Sequence, residues 1–276
     1  MIIDGFKHAQ KIKQELKEEI EKNNLTLKLA VVLVGNNPSS LIYVKNKKNA
    51  CKEVGIQSEI IKLEESTSQE KLNQTLKSLS NDKSVNGILL QLPLPKHLDE
   101  SQAISYITPE KDVDGLTQVN MGKLISNQNG LKPCTPCGIM ELIKSVKSDL
   151  AGHNAVVVGR SNLVGKPIAQ MLLNENCTVT ICHSKTRDLK KITKQADILI
   201  IAVGQAKFIK KNMVKKSAIV IDVGINKTPN GLVGDVDFEK VKNKASHITP
   251  VPKGVGPMTV AMLLKNVLLA GTNNPK

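Results

Sequence analysis

Five polar side chains in the first half of the chain have types suited to acid–base work and to ligand binding. Tyr43 and Lys47 are four residues apart in a segment with helical apolar spacing, so they share a helix face. Gln91 opens Gln91-Leu-Pro-Leu-Pro95, whose prolines stop the preceding apolar run as a strand. That puts Gln91 at the carboxyl end of a sheet strand, where open α/β sheets bind ligands. Asp112 and Asp114 follow in Lys111-Asp-Val-Asp-Gly115. A lysine buried among apolar neighbours is disfavoured as a charge and becomes fit for acid–base work. Singly, each has a plainer explanation: Tyr43–Lys47 as a surface pair, Asp-Val-Asp-Gly as a turn or part of a cation loop.

A second constellation is Ala155-Val-Val-Val-Gly-Arg-Ser-Asn-Leu-Val-Gly-Lys-Pro167. It reads as a buried strand, a glycine turn and a helix start, which present backbone N–H groups to a dinucleotide pyrophosphate. The Gly-x-Gly-x-x-Gly fingerprint is incomplete: Gly159 is the first glycine, Ser161 stands where the second would be, and the next is Gly165. A second strand about 20 residues on supplies the context the motif needs. That strand ends in Cys182-His-Ser-Lys-Thr-Arg187, with no acid to meet a ribose 2′-hydroxyl. A carboxylate would repel a 2′-phosphate, whereas a hydroxyl and cations suit it. NADP is therefore expected rather than NAD, with Arg160 as a bidentate fork and Ser184 or Lys185 completing the pocket. Of 39 basic residues only Arg160 and Arg187 are arginine, and both fall in these two segments.

These residues need elements to hold them. Apolar periodicity predicts a helix over 5–22, with Phe6, Ala9, Ile12, Leu16 and Ile20 on one face. A strand at 29–34, a helix at 40–54, a strand at 58–63, a helix at 68–79 and a strand at 85–92 follow. Such βαβαβ alternation predicts a parallel sheet. Residues 95–136 read as loop-rich and 138–146 as helical. A second alternating unit has strands at 155–158, 178–182, 198–203 and 219–223, with helices at 165–174, 189–194 and 212–214. Turn-rich Thr228-Pro-Asn-Gly231 and Gly234-Asp-Val-Asp237 precede an apolar helix at 257–270. The expected fold class is α/β, two domains with parallel-sheet cores flanking a cleft. The first spans 1–146 and is completed by the C-terminal segment 257–276; the second, over 147–256, is of Rossmann type.

A chain of 276 residues suits one large or two ordinary domains. With no Trp and five Phe and Tyr together, its cores must be aliphatic, as in buried parallel sheets. No uninterrupted apolar run reaches the ~20 residues of a membrane span, and the N-terminus lacks a signal pattern, so a cytoplasmic protein is expected. The net charge of +14 admits nucleic acid, a membrane surface or an anionic small molecule as partner. Lys7, Lys11, Lys13, Lys17 and Lys22 alternate with Glu15, Glu18, Glu19 and Glu21, the pattern of a solvated helix face. Scarce aromatics argue against single-strand binding. Five cysteines, an odd count, point to thiols in a reducing compartment. Cys134-Thr-Pro-Cys137 lacks a second ligand pair for zinc, so it reads as a loop with incidental thiols and no metal is expected.

Ser40-Leu-Ile-Tyr-Val-Lys-Asn-Lys47, Gly87-Ile-Leu-Leu-Gln-Leu-Pro-Leu-Pro95, Lys111-Asp-Val-Asp-Gly115, Pro133-Cys-Thr-Pro136, Val158-Gly-Arg-Ser161 and Thr249-Pro-Val-Pro-Lys-Gly-Val-Gly-Pro-Met-Thr259 occur in order. Together they resemble the bifunctional methylenetetrahydrofolate dehydrogenase/methenyltetrahydrofolate cyclohydrolase family over nearly the whole chain. The resemblance implies NADP-dependent oxidation of 5,10-methylenetetrahydrofolate, then hydrolysis of the methenyl product to 10-formyltetrahydrofolate. It implies Lys47 as the key catalytic residue, Gln91 hydrogen-bonded to it, Tyr43 stacked on the folate and Asp114 gripping the pterin. Gly254 and Pro257 would also bind substrate. Gly159, Arg160, Ser161 and Ser184 would hold NADP, with Ile225 on the nicotinamide side and no role for Arg187. A homodimer through the nucleotide domain is implied, with neither nucleic acid nor membrane as partner. Lys253 departs from the family's usual glycine, and Asn49 from its usual lysine. Two other readings stay open at this point: another NADP oxidoreductase acting on an amino acid or shikimate-like acid, and a basic RNA-binding protein.

Overall fold

The computed structural model describes residues 1–229 and 231–273. Its contacts group into two compact units: Gln10–Cys134 with the chain from Val260 onward, and Met1–Ala9 with Thr135–Thr259. The crossing between Cys134 and Thr135 thus comes earlier than the 146/147 boundary drawn from the sequence, the one between Thr259 and Val260 comes later than 256/257, and the first nine residues join the second unit. Positions 274–276 of the expected C-terminal segment lie outside the described residues.

The helix α1 (Gly5–Lys22) starts in the second unit, continues into the first from Gln10, and buries Ala9, Leu16 and Ile20. Phe6, expected on the same face, is 47% exposed. Then come β1 (Lys28–Val34), α2 (Pro38–Val54), β2 (Gln57–Leu63), α3 (Gln69–Asn81) and β3 (Gly87–Leu90). The strands form an all-parallel sheet in the order β2-β1-β3. The central β1 is buried from Leu29 to Val34, which explains its unbroken apolar run. Leu72 and Leu76 of α3 pack with Ala30, Val32, Ile88 and Leu90. The stretch read as loop holds two short helices, α4 (Glu100–Ser105) and α5 (Gln118–Ile125). Both are too short for a periodic signal. Their evidence is in their caps: Asp99 accepts from the Gln102 N–H at 2.9 Å and Thr117 from the Asn120 N–H at 3.3 Å.

In the second unit, α6 (Cys134–Lys144) leads to β4 (Asn154–Val158), α7 (Gly165–Asn174), β5 (Thr178–Cys182), α8 (Leu189–Thr193), β6 (Ile198–Ile201) and β7 (Ile219–Asp222). The expected helix at 212–214 is a 3₁₀ turn, Lys211–Met213. A hairpin of β8 (Asn226–Thr228) and β9 (Gly231–Val233) follows, then α9 (Phe238–Val241) and β10 (His247–Ile248). Residue 230, in the expected turn, lies outside the described residues. The parallel sheet has the order β10-β7-β6-β4-β5. The N-terminus extends its β10 edge: the Ile3 N–H donates to Ile248 O at 2.9 Å and the Ile248 N–H to Met1 O at 3.0 Å. These bonds are why residues 1–9 count with this unit.

The last helix, α10 (Val255–Asn273), has the length and apolarity of a membrane span, contrary to the sequence expectation. Lys265 and Asn266 interrupt the literal apolar run, and Leu263, Leu264 and Val267 are buried as in a soluble core.

Candidate active site and nucleotide cradle

Helix α2 starts at Asn37, whose Oδ1 accepts from the Ser39 N–H at 2.9 Å and the Ser40 N–H at 3.3 Å, with Pro38 next. It ends at Gly55, in the left-handed region at φ 84°. Ser40, Val44, Cys51 and Val54 are buried, and position 47 falls on the same stripe at helical spacing. A lysine there is directed inward. Its Nζ donates to Gln91 Oε1 at 3.0 Å. Gln91 lies just past β3 and is 8% exposed. Its N–H donates to Val32 O at 2.9 Å, and its Nε2 to Leu92 O at 2.6 Å, which turns Oε1 toward Lys47. Tyr43, one turn earlier, keeps an exposed ring. Burial pushes the Cys51 thiol up to about 12, against the opposing pull of the Lys47 charge one turn away.

The two aspartates of 111–115 have separate tasks. Asp112 is buried, and its Oδ2 accepts from the Thr117 N–H at 2.8 Å and Asn120 Nδ2 at 2.9 Å. It anchors the start of α5. Asp114 is half-buried and electrostatically coupled to Lys47. Burial pushes its carboxyl above the usual range, the Lys47 charge opposes this, and Asp112 adds to the rise. Asn266 of α10 supports this loop, a role not read from the sequence: its Nδ2 donates to Val113 O at 2.8 Å and Lys132 O at 2.9 Å. Gly115, at φ 66°, packs so closely that a Cβ would lie 2.5 Å from the Lys132 carbonyl carbon. The Cys134–Cys137 pair is on the first turn of α6, not in a loop, and the Cys134 thiol donates to Val113 O at 3.2 Å.

The structure thus gathers Lys47, Gln91 and Asp114 in the first unit, with Tyr43 on the same helix. Gly254 and Pro257 belong to the second unit. Gly254 is packed so that a Cβ would be 2.3 Å from Pro250 O, and Pro257 sits in the first turn of α10. Lys253 holds φ 78°, a conformation suited to glycine, while its carbonyl accepts from the Phe6 N–H at 3.0 Å.

The glycine turn after β4 has the shape of a phosphate cradle. Gly159 has φ 135°, and a Cβ on it would meet Ala202 O at 2.4 Å; one on Gly165 would meet Gly159 O at 2.3 Å. Ser161 performs the local work of a cap: its Oγ accepts from the Val164 N–H at 3.1 Å and the Gly165 N–H at 3.3 Å. Arg160 is exposed and has no hydrogen bond or ion pair among the described residues, so its guanidinium is available. After β5, the His183 N–H donates to Thr186 Oγ1 at 2.8 Å and the Thr186 N–H to His183 O at 2.8 Å, leaving Ser184, Lys185 and Arg187 exposed. Ile225 is 47% exposed between β7 and β8. Glycines where a Cβ would fill the turn, an open guanidinium and an acid-free β5 end fit a dinucleotide carrying a 2′-phosphate.

Residues 3–114 match the profile of the tetrahydrofolate dehydrogenase/cyclohydrolase catalytic domain, and residues 133–274 that of the same family's NAD(P)-binding domain. The chain is 52% identical over 279 residues to the "Bifunctional protein FolD" of Campylobacter hominis, covering 100% of this chain and 98% of that one. The crystal structure of the bifunctional FolD methylenetetrahydrofolate dehydrogenase/cyclohydrolase of Campylobacter jejuni superposes with TM-score 0.97 at 47% identity, covering 99% of both chains. The Trypanosoma brucei enzyme, solved with NADP cofactor and an inhibitor, superposes with TM-score 0.94 at 37% identity, covering 99% of this chain and 97% of that one. The chain belongs to the tetrahydrofolate dehydrogenase/cyclohydrolase family.

Proposed function

We propose that the side chains around Lys47 carry both activities of this bifunctional enzyme: NADP-dependent oxidation of 5,10-methylenetetrahydrofolate and hydrolysis of the methenyl product to 10-formyltetrahydrofolate. The observation that carries the assignment is the 3.0 Å bond from Lys47 Nζ to an oriented Gln91 amide, with the Asp114 carboxyl in the same electrostatic field. NADP, when bound, supplies the hydride acceptor. Gly159, Ser161 and the N-terminus of α7 would hold its pyrophosphate, and Arg160 with Ser184 its 2′-phosphate.

The chain's own residues then have distinct tasks. Gln91 accepts one N–H of Lys47 and fixes where Nζ points. In the hydrolytic step water adds to the methenyl carbon and Lys47 relays the proton that the water releases. That proton goes to the folate nitrogen as the carbon–nitrogen bond opens, and the hydroxyl proton of the adduct leaves to solvent as the formyl C=O forms. The Asp114 carboxylate accepts the pterin's paired N–H donors, and Tyr43 stacks on the ring. Gly254 and Pro257 contribute to substrate binding. The 1–146 and 257–276 segments serve as the folate domain and 147–256 as the NADP domain.

The substrate's glutamate carboxylates suit a chain of net charge +14 without nucleic acid or membrane as partner, in a cytoplasmic setting. We further infer a homodimer through the second unit. Its β5 edge is unpaired among the described residues, with Ile181 41% exposed, and exposed strand edges invite pairing. The deciding experiment is turnover of methylenetetrahydrofolate with NADP and with NAD, following reduced cofactor and 10-formyl product separately. Absence of either product with NADP would sink the bifunctional assignment.

A further inference from the structure

The segment Gly234-Asp-Val-Asp237 has no part in the chemistry above, yet it delivers a fully buried carboxylate. Asp235 Oδ2 accepts from the Val203 N–H at 2.7 Å and the Gly204 N–H at 2.9 Å. Its Oδ1 accepts from the Gln205 N–H at 2.8 Å and Asn226 Nδ2 at 2.9 Å. Asp222, 2% exposed at the end of β7, lies behind it. Asp222 Oδ1 accepts from the Asp235 N–H at 2.8 Å and the Gly224 N–H at 3.1 Å, and Oδ2 from the Val236 N–H at 2.9 Å. Neither carboxyl has an ion-pair partner among the described residues.

Burying two neighbouring carboxyls is unfavourable, and the backbone is shaped around them. A Cβ on Gly224 would lie 2.0 Å from Asp235 Oδ1, and one on Gly234 would lie 1.8 Å from Asp222 Oδ2. What the arrangement achieves is local. One side chain, Asp235, ties together the loops at the carboxyl ends of β6 and β7, where doubly wound sheets receive ligands. The first loop touches the phosphate turn through Ala202 and Gly159. The second carries Ile225. Arg160, Ser161 and Ser184 instead stand at the ends of β4 and β5, and none of them bonds to either aspartate.

We propose that Asp235, braced by Asp222, is a positioning residue for the nicotinamide half of the cofactor site. It holds loops 202–205 and 223–226 as one receiving surface without touching the cofactor. The proposal rests on the second unit being the NADP site.

Asp235→Asn tests it, since either amide orientation turns an NH₂ toward backbone or side-chain donors. Dissociation constants of purified wild type and variant would be measured by calorimetry for NADP⁺ and for 2′,5′-ADP, which lacks the nicotinamide half. The expected result is an NADP⁺ affinity weaker by about tenfold or more, since the NH₂ replaces an oxygen that accepts two hydrogen bonds, with 2′,5′-ADP affinity unchanged. A merely structural role would weaken both together; equal losses, or no loss for NADP⁺, would overturn the proposal. Wild type that fails to bind 2′,5′-ADP would overturn the underlying cofactor site instead. Should Asp235→Asn not fold, Asn226→Ala removes the tie between Asp235 and the second loop, together with the longer 3.3 Å bond from Asn226 Nδ2 to Val233 O within the β8–β9 hairpin. It should show the same split at smaller amplitude, and an unsplit or absent effect overturns the proposal equally.

Discussion

Lys47 draws its character from a contradiction at one position: a charged residue on a helix stripe whose other members, Ser40, Val44, Cys51 and Val54, are buried. The resolution is a polar partner, Gln91, and a neighbouring carboxyl, Asp114. If Lys47 moves protons in the hydrolytic step, Lys47→Met should lower cyclohydrolase kcat by roughly 10²–10⁴-fold, the usual worth of a positioned acid–base group. NADP binding measured by fluorescence titration should be unchanged. Wild-type hydrolysis in that variant would remove Lys47 from the mechanism. Arg160 belongs to a different argument, because its guanidinium has no partner among the described residues. Arg160→Ala should weaken NADP binding by roughly ten- to a hundredfold, the worth of a charged hydrogen-bonding contact. NAD binding should hardly move; parallel losses would mean that another group recognises the 2′-phosphate.

At the scale of elements, α2 is a carrier for catalytic groups and depends on its first turn. Asn37→Ala removes an acceptor shared by two N–H groups and should cost about 1 kcal/mol of stability in urea unfolding. No change in midpoint would show that solvent satisfies that turn equally well. The loop before α10 is under local strain, since Lys253 holds φ 78° with its carbonyl bonded to Phe6. Glycine takes that conformation freely but gives the unfolded chain more freedom. Lys253→Gly should therefore be neutral to about 1 kcal/mol stabilising, whereas Lys253→Val, β-branched at positive φ, should destabilise by about 1–2 kcal/mol. Thermal melts of the two variants check the ordering, and a more stable valine variant would contradict the backbone argument.

For the whole molecule, the buried Asp222 links stability to pH. Burial, with the Asp235 charge adding to it, pushes its carboxyl up to about 7 against three backbone N–H groups that oppose the rise. The folded state therefore holds a proton that the unfolded state has released above about pH 4. Asp222 contributes most at acid pH, and that contribution is lost as pH rises through about 7. Compared with Asp222→Asn, the wild-type melting temperature should fall between about pH 5 and about pH 8. A difference curve that is flat or rising over this range would contradict the assignment. The molecule's positive charge works differently: Lys11–Glu15 and Lys17–Glu21, both 3.8 Å apart and exposed, are surface pairs of small energetic weight.

The amino-acid sequence by itself determined what is local or periodic. Alternating apolar runs specify the parallel strands, and Gly159 and Gly165 specify the turn into α7 because each leaves no room for a Cβ. The quoted motifs specify the family. The order β10-β7-β6-β4-β5, the pairing of residues 1–9 with β10, and the helices within 95–136 were decided by tertiary structure. They depend on hydrogen bonds between distant segments, or on caps too short to set a period. The same division separates the aspartates. Asp112 and Asp114 look alike in sequence, but only folding makes one an anchor for α5 and the other a neighbour of Lys47. Asp235 sits in a motif that reads as a turn. Its ligands, Val203, Gly204, Gln205 and Asn226, come from two other loops, so its function exists only once the strands that carry them lie side by side.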